Sequence, residues 1–400
     1  MNSDKGSLLV GAAPATTSGT RGSGGIDASE GEFPRRAGNG YRLFKNGTEI
    51  FPAFLDAIRS AQRSICFETY IYERGAIGKM VAEALATQAA DGVDVRVVLD
   101  AVGCAGMSED SLDMMKAAGV EVHRFRPFRW RFWHRFNHRT HRKLLVVDGE
   151  TGFTGGLGIA DEWTGDAQDS GHWRDNHYRV AGPVVADMQR VFFSHCDPEA
   201  VPAADDERFF PSLEAQGETT MQVVAAEPAD GPNRILHSFC DAIGRTRQRL
   251  GIVTPYFMPC GDLLDRILEA RRRGVEVCVL TCGENMDWQS VRKASRHKWG
   301  GMLESGVRIF EYEPTLLHSK ALIVDDREVH IGSANFDCRS CRINAEANLR
   351  IEGAAAASRH WEMLAADRED AHEVDYRQWR KRPVFQKLQD AAAHLFRDQL

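Results

Sequence analysis

The amino-acid sequence predicts an α/β protein of two similar domains, each a mostly parallel mixed sheet flanked by helices, related to each other by a pseudo-two-fold duplication. Three observations support this prediction. The 400 residues are 43% hydrophobic and 27% charged, a soluble globular composition long enough for two domains with their own cores. Sequence blocks of the first half recur in the second. Within these blocks helical and strand patterns alternate, as they do in βαβ units.

The repeat is visible at similar offsets along the chain. The apolar run 65–72 recurs as the run 250–257, 185 positions later. Residues 92–97 (GVDVRV) recur as residues 274–279 (GVEVCV), and both have the short, β-branched character of buried strands. Apolar residues at helical spacing lie between these runs, in residues 80–90 and 263–273.

These patterns divide the chain into five parts. Residues 1–40 are rich in Gly, Ser, Ala and Thr and have too few large apolar side chains for a core, so they are predicted to be a disordered tail. The repeat then places domain 1 at residues 41–200 and domain 2 at residues 220–353. An acidic, proline-containing linker at residues 201–219 joins them, and C-terminal helices follow at residues 354–400.

The C-terminal segment has an amphipathic pattern. Such a helix is expected to pack on the protein, and contact with a membrane surface is the alternative. No run of about 18 apolar residues occurs in the chain, so no transmembrane helix is predicted. The apolar positions near one helical face are Val384, Leu388, Ala392, Leu395 and Leu400.

Charge and cysteine content exclude several classes of protein. The formal net charge of −7 disfavours a non-specific nucleic-acid binder, which would be basic overall. The 9 cysteines are scattered and odd in number, and no secretory leader is predicted, so reduced thiols are expected. The single C-x-x-C pair, Cys338 and Cys341, has no second pair at zinc-finger spacing and is interpreted as structural. Neither a metal nor a cofactor is expected.

The chemistry is carried by a motif, His-x-Lys-x-x-x-x-Asp, that occurs once in each half. An apolar run follows each Lys and ends at the Asp, so His and Lys are predicted to lie on a strand and point to the same face. A single motif of this kind means little, but two at matched positions indicate a shared site. The motif residues are His141, Lys143 and Asp148 in the first half and His318, Lys320 and Asp325 in the second.

The residue types suit phosphoryl transfer. An imidazole can attack phosphorus or act as a general acid near neutral pH, and a lysine beside it holds phosphate oxygens. Exchange of a phosphodiester through a covalent intermediate uses two imidazoles, which a duplication supplies. Ser333 and Asn335, in the turn after the second motif, are predicted to bind phosphate. Asp175 and Glu346, at equivalent positions, are each predicted to orient the histidine of their own half.

These residues resemble the phospholipase D superfamily, whose signature is the HxKxxxxD motif, called the HKD motif, followed by a G-[GS]-x-N turn. The resemblance covers nearly all of the chain from Tyr41 onward, so that each domain is expected to be phospholipase D-like. More narrowly, several stretches resemble the bacterial cardiolipin synthases of the short type without transmembrane helices. These are residues 67–72, 154–157, 160–162, 173–175, 254–259, 332–337 and 339–340.

The resemblance implies phosphatidyl transfer without metal, most simply cardiolipin synthesis from two phosphatidylglycerol molecules with release of glycerol. In the family's terms His141 is the nucleophile and His318 the acid/base, although the residues themselves do not distinguish the two. It also implies a peripheral enzyme on the cytoplasmic side of the cell membrane. One departure is Gly158, which stands where the first turn usually has Asn and removes one phosphate donor.

A basic and aromatic loop precedes the first motif and has no counterpart in the second half. Alternating Arg with Trp and Phe suits the interface of an anionic membrane. Two alternatives remain open at this stage: a solvated loop whose aromatics pack on the domain, and a nucleic-acid surface, which is disfavoured. The residues predicted to contact membrane or lipid are Arg129, Trp130, Arg131, Phe132, Trp133 and Arg135.

Three other functions compete with the transferase. A phospholipase D hydrolase would use the same site and release phosphatidic acid, because water rather than a lipid alcohol would resolve the intermediate. A nucleic-acid phosphodiesterase would use it on another substrate. A lipid-binding protein with a degenerate site is disfavoured by the two intact motifs. The acceptor alcohol and the oligomeric state are left open by the sequence.

Overall fold

The computed structural model describes residues 33–127, 137–227 and 233–394. The first half contains strands β1 (Arg36–Lys45), β2 (Ser64–Thr69), β3 (Asp94–Asp100), β4 (Glu121–Phe125), β5 (Leu144–Val147), β6 (Thr151–Gly155) and β7 (Asn176–Ala181). Its helices are α1 (Asn46–Arg59), α2 (Ala76–Ala90), α3 (Glu109–Ala117) and α4 (Val185–Phe193), with short 3₁₀ helices at Asp161–Trp163 and Pro198–Ala200.

The second half repeats this order of elements. Its strands are β8 (Thr219–Ala226), β9 (Arg249–Val253), β10 (Glu276–Cys282), β11 (Arg308–Tyr312), β12 (Ala321–Val324), β13 (Glu328–Gly332), β14 (Glu346–Glu352) and β15 (Ala371–Glu373). Its helices are α5 (Arg234–Arg245), α6 (Gly261–Arg272), α7 (Gln289–Glu304), α8 (Cys338–Arg342), α9 (Ala354–Glu369), α10 (Tyr376–Arg380) and α11 (Val384–His394).

All these strands form one mixed sheet of 15 strands, in the order β15-β11-β10-β9-β12-β13-β14-β8-β1-β7-β6-β5-β2-β3-β4. The two halves of this order mirror each other about β8 and β1, which pair antiparallel at the centre. The predicted duplication of a mixed α/β unit is therefore confirmed. The sheet is less parallel than predicted, since among the described strands only β2-β3-β4 and β9-β10-β11 run parallel.

Three apolar cores stabilise this arrangement. One core belongs to the first half and one to the second, and they lie on the outer side of the sheet under the α1–α2 and α5–α6 helices. The third core contains residues of both halves, including those of α4 and α9. Strand β5 is apolar throughout because both of its faces are buried. Leu144 packs in the shared core, and Leu145 packs in the core of the first half.

The boundaries differ from the sequence prediction in three places. Residues 36–40 are the first half of strand β1 and not part of a tail, because they pair with β7 and β8 in the sheet. The linker ends one residue earlier than predicted, because β8 begins at Thr219. The C-terminal part is not purely helical, because β15 extends the sheet next to β11. Residues 1–32 lie outside the described residues.

None of the helices in the described ranges combines the length and the apolar composition needed to cross a bilayer.

Candidate active site

The two motif histidines each bind a carboxylate that comes from the other half of the chain. His141 Nδ1 lies 2.9 Å from one oxygen of Glu346 and 3.0 Å from the other. His318 Nδ1 lies 2.9 Å from Asp175 Oδ2. Both acids are thus placed to orient histidines, but the predicted pairing within each half is wrong. Each histidine–acid pair bridges the duplication.

The crossing follows from the backbone beside the pairs. The His141 N–H donates to the carbonyl of Ala345, the residue directly before the acid, over 2.8 Å. In the same way the His318 N–H donates to the carbonyl of Arg174 over 2.7 Å. Each motif segment is therefore hydrogen-bonded to the segment that carries the acid of the opposite half, which fixes both pairs by main-chain contacts.

The two motif lysines lie beside the histidines. His141 and Lys143 occupy an extended segment that ends where β5 begins, so they precede the predicted strand and are not part of it. Lys143 Nζ donates to the carbonyl of His141 over 2.9 Å, and Lys320 Nζ donates to the carbonyl of His318. All four side chains are buried. The site therefore has two imidazoles and two ammonium groups in one enclosed cluster.

Burial controls the protonation of the histidines. It lowers the pKa of His141 to about 4 and that of His318 to about 3, although the neighbouring carboxylates act in the opposite direction. Both rings are therefore neutral near pH 7 in the absence of substrate. Because a carboxylate can only accept, the ring proton of each is on Nδ1, and Nε2 keeps its lone pair. A neutral Nε2 is the form of histidine that attacks phosphorus.

The acids and lysines have shifted pKa values as well. Burial alone would raise the pKa of Asp175, but His318 and Lys320, together with a hydrogen bond from Trp163, lower it to about 2. Burial lowers the pKa of Lys143 to about 7, with Lys320 contributing in the same direction, and that of Lys320 to about 8. Two buried ammonium groups so close together favour an anion between them.

Different side chains support the two acids. In the second half the Ser333 hydroxyl donates to Glu346 and also accepts from the Ala347 N–H at 3.0 Å. In the first half Gly156 stands at the position of Ser333, and Trp163 Nε1 donates to Asp175 Oδ2 over 2.9 Å instead. The prediction that Ser333 binds phosphate is therefore corrected, because its single O–H donor is used to hold an acid.

The same indole explains the departure at Gly158. A Cβ added at Gly158 would lie 2.9 Å from two ring carbons of Trp163. A Cβ at Gly156 would lie 2.2 Å from Asp175 Oδ1. The first turn is therefore built from glycines because the indole and the carboxylate occupy the space that Asn and Ser side chains would need. Trp163 was missed by the sequence analysis, since nothing in its local pattern separates it from a core tryptophan.

Asn335 lies in the turn after the second motif. It is buried, and its side-chain oxygen has no hydrogen-bond partner among the described residues. Its backbone N–H donates to the Ser340 hydroxyl over 3.1 Å, which anchors the turn to helix α8. The side-chain amide also hydrogen-bonds to Asp337, and the unpartnered oxygen is an acceptor, so the predicted contact of Asn335 with phosphate stays a prediction.

The aspartates of the two motifs are not part of the site. Asp148 lies at the far end of β5 from Lys143, and its carboxylate accepts from the backbone N–H groups of Gln62, Arg63 and Ser64. Asp325 does the same at the end of β12, for the N–H groups at residues 247–249. Their predicted catalytic role is therefore wrong. They satisfy the free donors at the start of β2 and β9 and so fix the strands that carry the motifs.

A buried ionic network holds the segment around His141. His195 lies between two carboxylates, with Nδ1 2.6 Å from Glu68 and Nε2 3.1 Å from Glu227. Glu68 also accepts from the Thr140 hydroxyl, and Glu227 accepts from Arg142. The residues on both sides of His141 are thus fixed by one network. Its members are scattered along the sequence, so the motif pattern gave no sign of it.

Two further points concern the predicted ligands. Within the part of the chain that the structure describes, no group of three or more His, Cys, Asp or Glu side chains is arranged to hold a metal ion. The predicted membrane contacts at Arg129, Trp130, Arg131, Phe132, Trp133 and Arg135 lie outside the described residues.

Comparison with known proteins places this geometry in context. A family model described as "Cardiolipin synthase, PLD-like domain" matches the chain twice, at residues 54–191 and 239–368. Cardiolipin synthase 2 of Bacillus anthracis is 32% identical over 360 residues, which cover 88% of this chain and 69% of that protein. The cardiolipin synthase of Geobacillus thermodenitrificans is 32% identical over 375 residues, covering 91% and 73% of the two chains.

A solved structure shares the fold. The crystal structure of phosphatidylserine synthase from Haemophilus influenzae Rd KW20 superimposes with a TM-score of 0.72 at 15% sequence identity. The match covers 92% of this chain and 97% of that one.

Proposed function

Because this chain belongs to the family of PLD-like cardiolipin synthases, we propose that its two crossed histidine–acid pairs catalyse phosphatidyl transfer through a phosphohistidine. The enzyme is a phospholipase D-type phosphatidyltransferase that makes cardiolipin. The observation that carries the assignment of the site is that His141–Glu346 and His318–Asp175 form matched buried pairs with a lysine beside each.

In the first step, the lone pair of His141 Nε2 attacks the phosphorus of one phosphatidylglycerol. The N–P bond forms as the bond from phosphorus to the glycerol oxygen breaks. The departing oxygen takes a proton from His318 Nε2, and glycerol leaves. Lys143 and Lys320 balance the negative charge that builds up on the phosphate oxygens in the transition state, and the neutral side-chain amide of Asn335 donates a hydrogen bond to one of them.

In the second step, a hydroxyl of a second phosphatidylglycerol gives its proton to His318 Nε2 and attacks the same phosphorus. The N–P bond breaks, its electron pair returns to His141, and cardiolipin is released. His318 has regained the proton that it gave to glycerol, so both imidazoles are again in the state that they had when the first phosphatidylglycerol was bound. The assignment of nucleophile to His141 and acid/base to His318 rests on the resemblance of the chain to its family.

The proton on His318 depends on the substrate. Without substrate, burial and Lys320 hold its pKa at about 3, so the ring is neutral at pH 7. A bound phosphodiester brings a negative charge next to the ring and favours the imidazolium. The acid form is therefore made where the leaving group needs it. Asp175, ionised and hydrogen-bonded to Nδ1, stabilises the charged ring.

The substrates are phospholipids, and we propose that they are drawn from an anionic bilayer rich in phosphatidylglycerol. The protein would meet this bilayer as a peripheral enzyme on the cytoplasmic side. The cationic, arginine-rich loop before His141 supports contact with anionic headgroups.

The test is incubation of the purified protein with phosphatidylglycerol vesicles, with the lipid products read by mass spectrometry. Wild type is expected to produce cardiolipin, while His141→Ala and His318→Ala produce none. His372→Ala, an exposed histidine remote from the site, serves as the matched control. Phosphatidic acid as the only product would replace the transferase with a hydrolase that uses the same site. An unchanged rate in either histidine variant would contradict the proposed mechanism.

A further inference from the structure

The start of helix α11 exposes bulky apolar side chains on every side. Residues 384–388 are five consecutive helical positions, more than a full turn, and all five are exposed. The exposed fractions of Val384, Phe385 and Leu388 are 72%, 69% and 63%. Among the described residues six large hydrophobic side chains are exposed, and these three are the most exposed of the six. A helix turn of this composition leaves apolar surface in contact with water, which is unfavourable, and a binding partner would cover that surface.

The face of α11 that meets the protein is the polar one. Helix α11 packs against α7, and on its inner face Asp390 is buried and forms an ion pair at 3.0 Å with Arg382, in the turn before α11. Val384, Leu388 and Ala392 repeat every four residues on the other side and are exposed. The described part of the apolar stripe predicted from the sequence is therefore turned away from the body, against the expectation that it packs inward, and Leu395 and Leu400 lie outside the described residues.

Positive charge surrounds this apolar stripe. Residues 376–389 (YRQWRKRPVFQKLQ) contain five Lys and Arg and no Asp or Glu, in a protein whose net charge is −7. We call this segment the C-terminal cap. Four of its cations are exposed, and one is buried in the pair with Asp390. The exposed ones are Arg377, Arg380, Lys381 and Lys387.

The cap is tied to a helix that starts at the active site. Trp379 Nε1 donates to the carbonyl of Arg296, in the middle of α7, over 3.1 Å. Helix α7 follows the loop after β10, where Cys282 Sγ donates to the carbonyl of Leu317 beside His318. The residue at the start of α7, Trp288, has an exposed fraction of 61%. Asp287, the residue before Trp288, lies close enough to Lys320 to raise its pKa. An exposed tryptophan there and a basic, apolar segment bound to the same helix are features of a protein surface that enters a membrane interface.

We infer that the C-terminal cap docks the enzyme on an anionic lipid bilayer, with Val384, Phe385 and Leu388 inserted among the headgroups and the four exposed cations on lipid phosphates. The bilayer is favoured over a second copy of the chain because two such caps would repel each other. This inference rests on the proposed function in one respect, that the substrates lie in such a bilayer.

The test is co-sedimentation of the full chain with vesicles of phosphatidylcholine containing phosphatidylglycerol, without turnover. The triple variant Val384→Ser, Phe385→Ser, Leu388→Ser is expected to reduce partitioning to vesicles at least about tenfold, since burial of each side chain contributes more than that factor. Replacing Arg377, Arg380 and Lys381 by Gln is expected to remove most of the dependence of binding on salt. Met80→Ser, an exposed apolar residue on α2, is the matched control and should bind as wild type does.

A second arm separates this inference from the proposed function. Short-chain phosphatidylglycerol dissolved below its critical micelle concentration reaches the site without any lipid surface, so the triple variant should form the cardiolipin product at the wild-type rate. Failure of the wild type on this monomeric substrate would reject the proposed function and leave the binding result intact. Wild-type sedimentation of the triple variant would overturn the docking inference. The inference would also be overturned if light scattering showed a dimeric wild type and a monomeric triple variant while vesicle binding stayed the same. The cap would then be a contact between two copies of the chain.

Discussion

The Glu346 carboxylate of the second half accepts a hydrogen bond from the imidazole of His141 in the first half over 2.9 Å. Because the equivalent bond joins His318 to Asp175, neither half contains a complete pair of its own. Each half of the duplication supplies one histidine and one carboxylate to a single site. A half on its own would hold neither histidine in place.

The crossed pairs predict which ring each acid controls. Glu346→Gln should lower kcat by about 10²–10⁴-fold, because the amide has no negative charge to stabilise the charged ring of His141 and can turn its NH2 group toward Nδ1. By ¹⁵N NMR the ring signals of His141 should move while those of His318 stay, and Asp175→Asn should give the reverse result. Glu304→Gln, at an exposed position, is the control. Movement of the His318 signals in Glu346→Gln would contradict the crossed pairing.

Removing either of the two side-chain donors that hold Glu346 and Asp175 should have the same kinetic effect. Ser333→Ala and Trp163→Phe each remove one hydrogen bond to an ionised carboxylate, a loss of about 1.5–3 kcal/mol in such bonds. We expect kcat to fall about tenfold or more with KM nearly constant, measured with phosphatidylglycerol in micelles. If Ser333→Ala raised KM and left kcat unchanged, Ser333 would bind substrate phosphate after all.

Replacing Gly158 by Asn, the residue usual in the family at this position, should lower both the stability and the activity of the protein. Gly158→Asn would drive its Cβ into the Trp163 ring, since the two would lie 2.9 Å apart. Overpacking of this kind costs about 1–3 kcal/mol of stability, which should appear as a lower Tm and lower activity. Gly244→Ala, where an added Cβ meets no atom within 4 Å, is the control and should not lower the Tm. An active and fully stable Gly158→Asn enzyme would show that the indole moves aside readily.

The motif aspartates should affect stability and not catalysis. Asp148→Ala leaves three backbone N–H groups without an acceptor, so unfolding by urea should become easier by a few kcal/mol. At a temperature where the variant is folded, its kcat should stay within about threefold of wild type, because the lost carboxylate is remote from the reacting atoms. Asp325→Ala should behave in the same way. If either variant were as stable as wild type but inactive, the aspartate would have a catalytic role after all.

The lowered pKa values of the two motif lysines lead to a prediction of how KM changes with pH. Burial lowers the pKa of Lys143 to about 7 and that of Lys320 to about 8. Since only the ammonium form attracts phosphate, raising the pH through this range removes charge from the site, and KM for phosphatidylglycerol should rise between about pH 7 and 9. Steady-state kinetics in micelles from pH 6 to 9.5 measures this. A KM that is constant to pH 9.5 would mean that both lysines keep ordinary pKa values.

Several features could be predicted from sequence because they depend on local patterns. The repeat gave the two similar halves and the positions of the strands, since buried strands need short apolar runs wherever they occur. The two motifs predicted His141, Lys143, His318 and Lys320 as the candidate reacting groups, because this chemistry requires those residue types at that spacing, and in the structure each lysine lies beside its histidine. The equivalent acids were found from their matched positions.

The partners of those residues were decided by the tertiary structure. The sequence placed Glu346 with His318, because they share a half, but the fold brings Glu346 to His141. Trp163 and Gly158 are five positions apart and show no relation in the sequence, yet the indole occupies the space beside that glycine. The motif aspartates looked catalytic because they recur with the histidines, whereas they lie at the opposite ends of the strands. A pattern along the chain records which groups are present, and only the packing of one half on the other determines which of them meet.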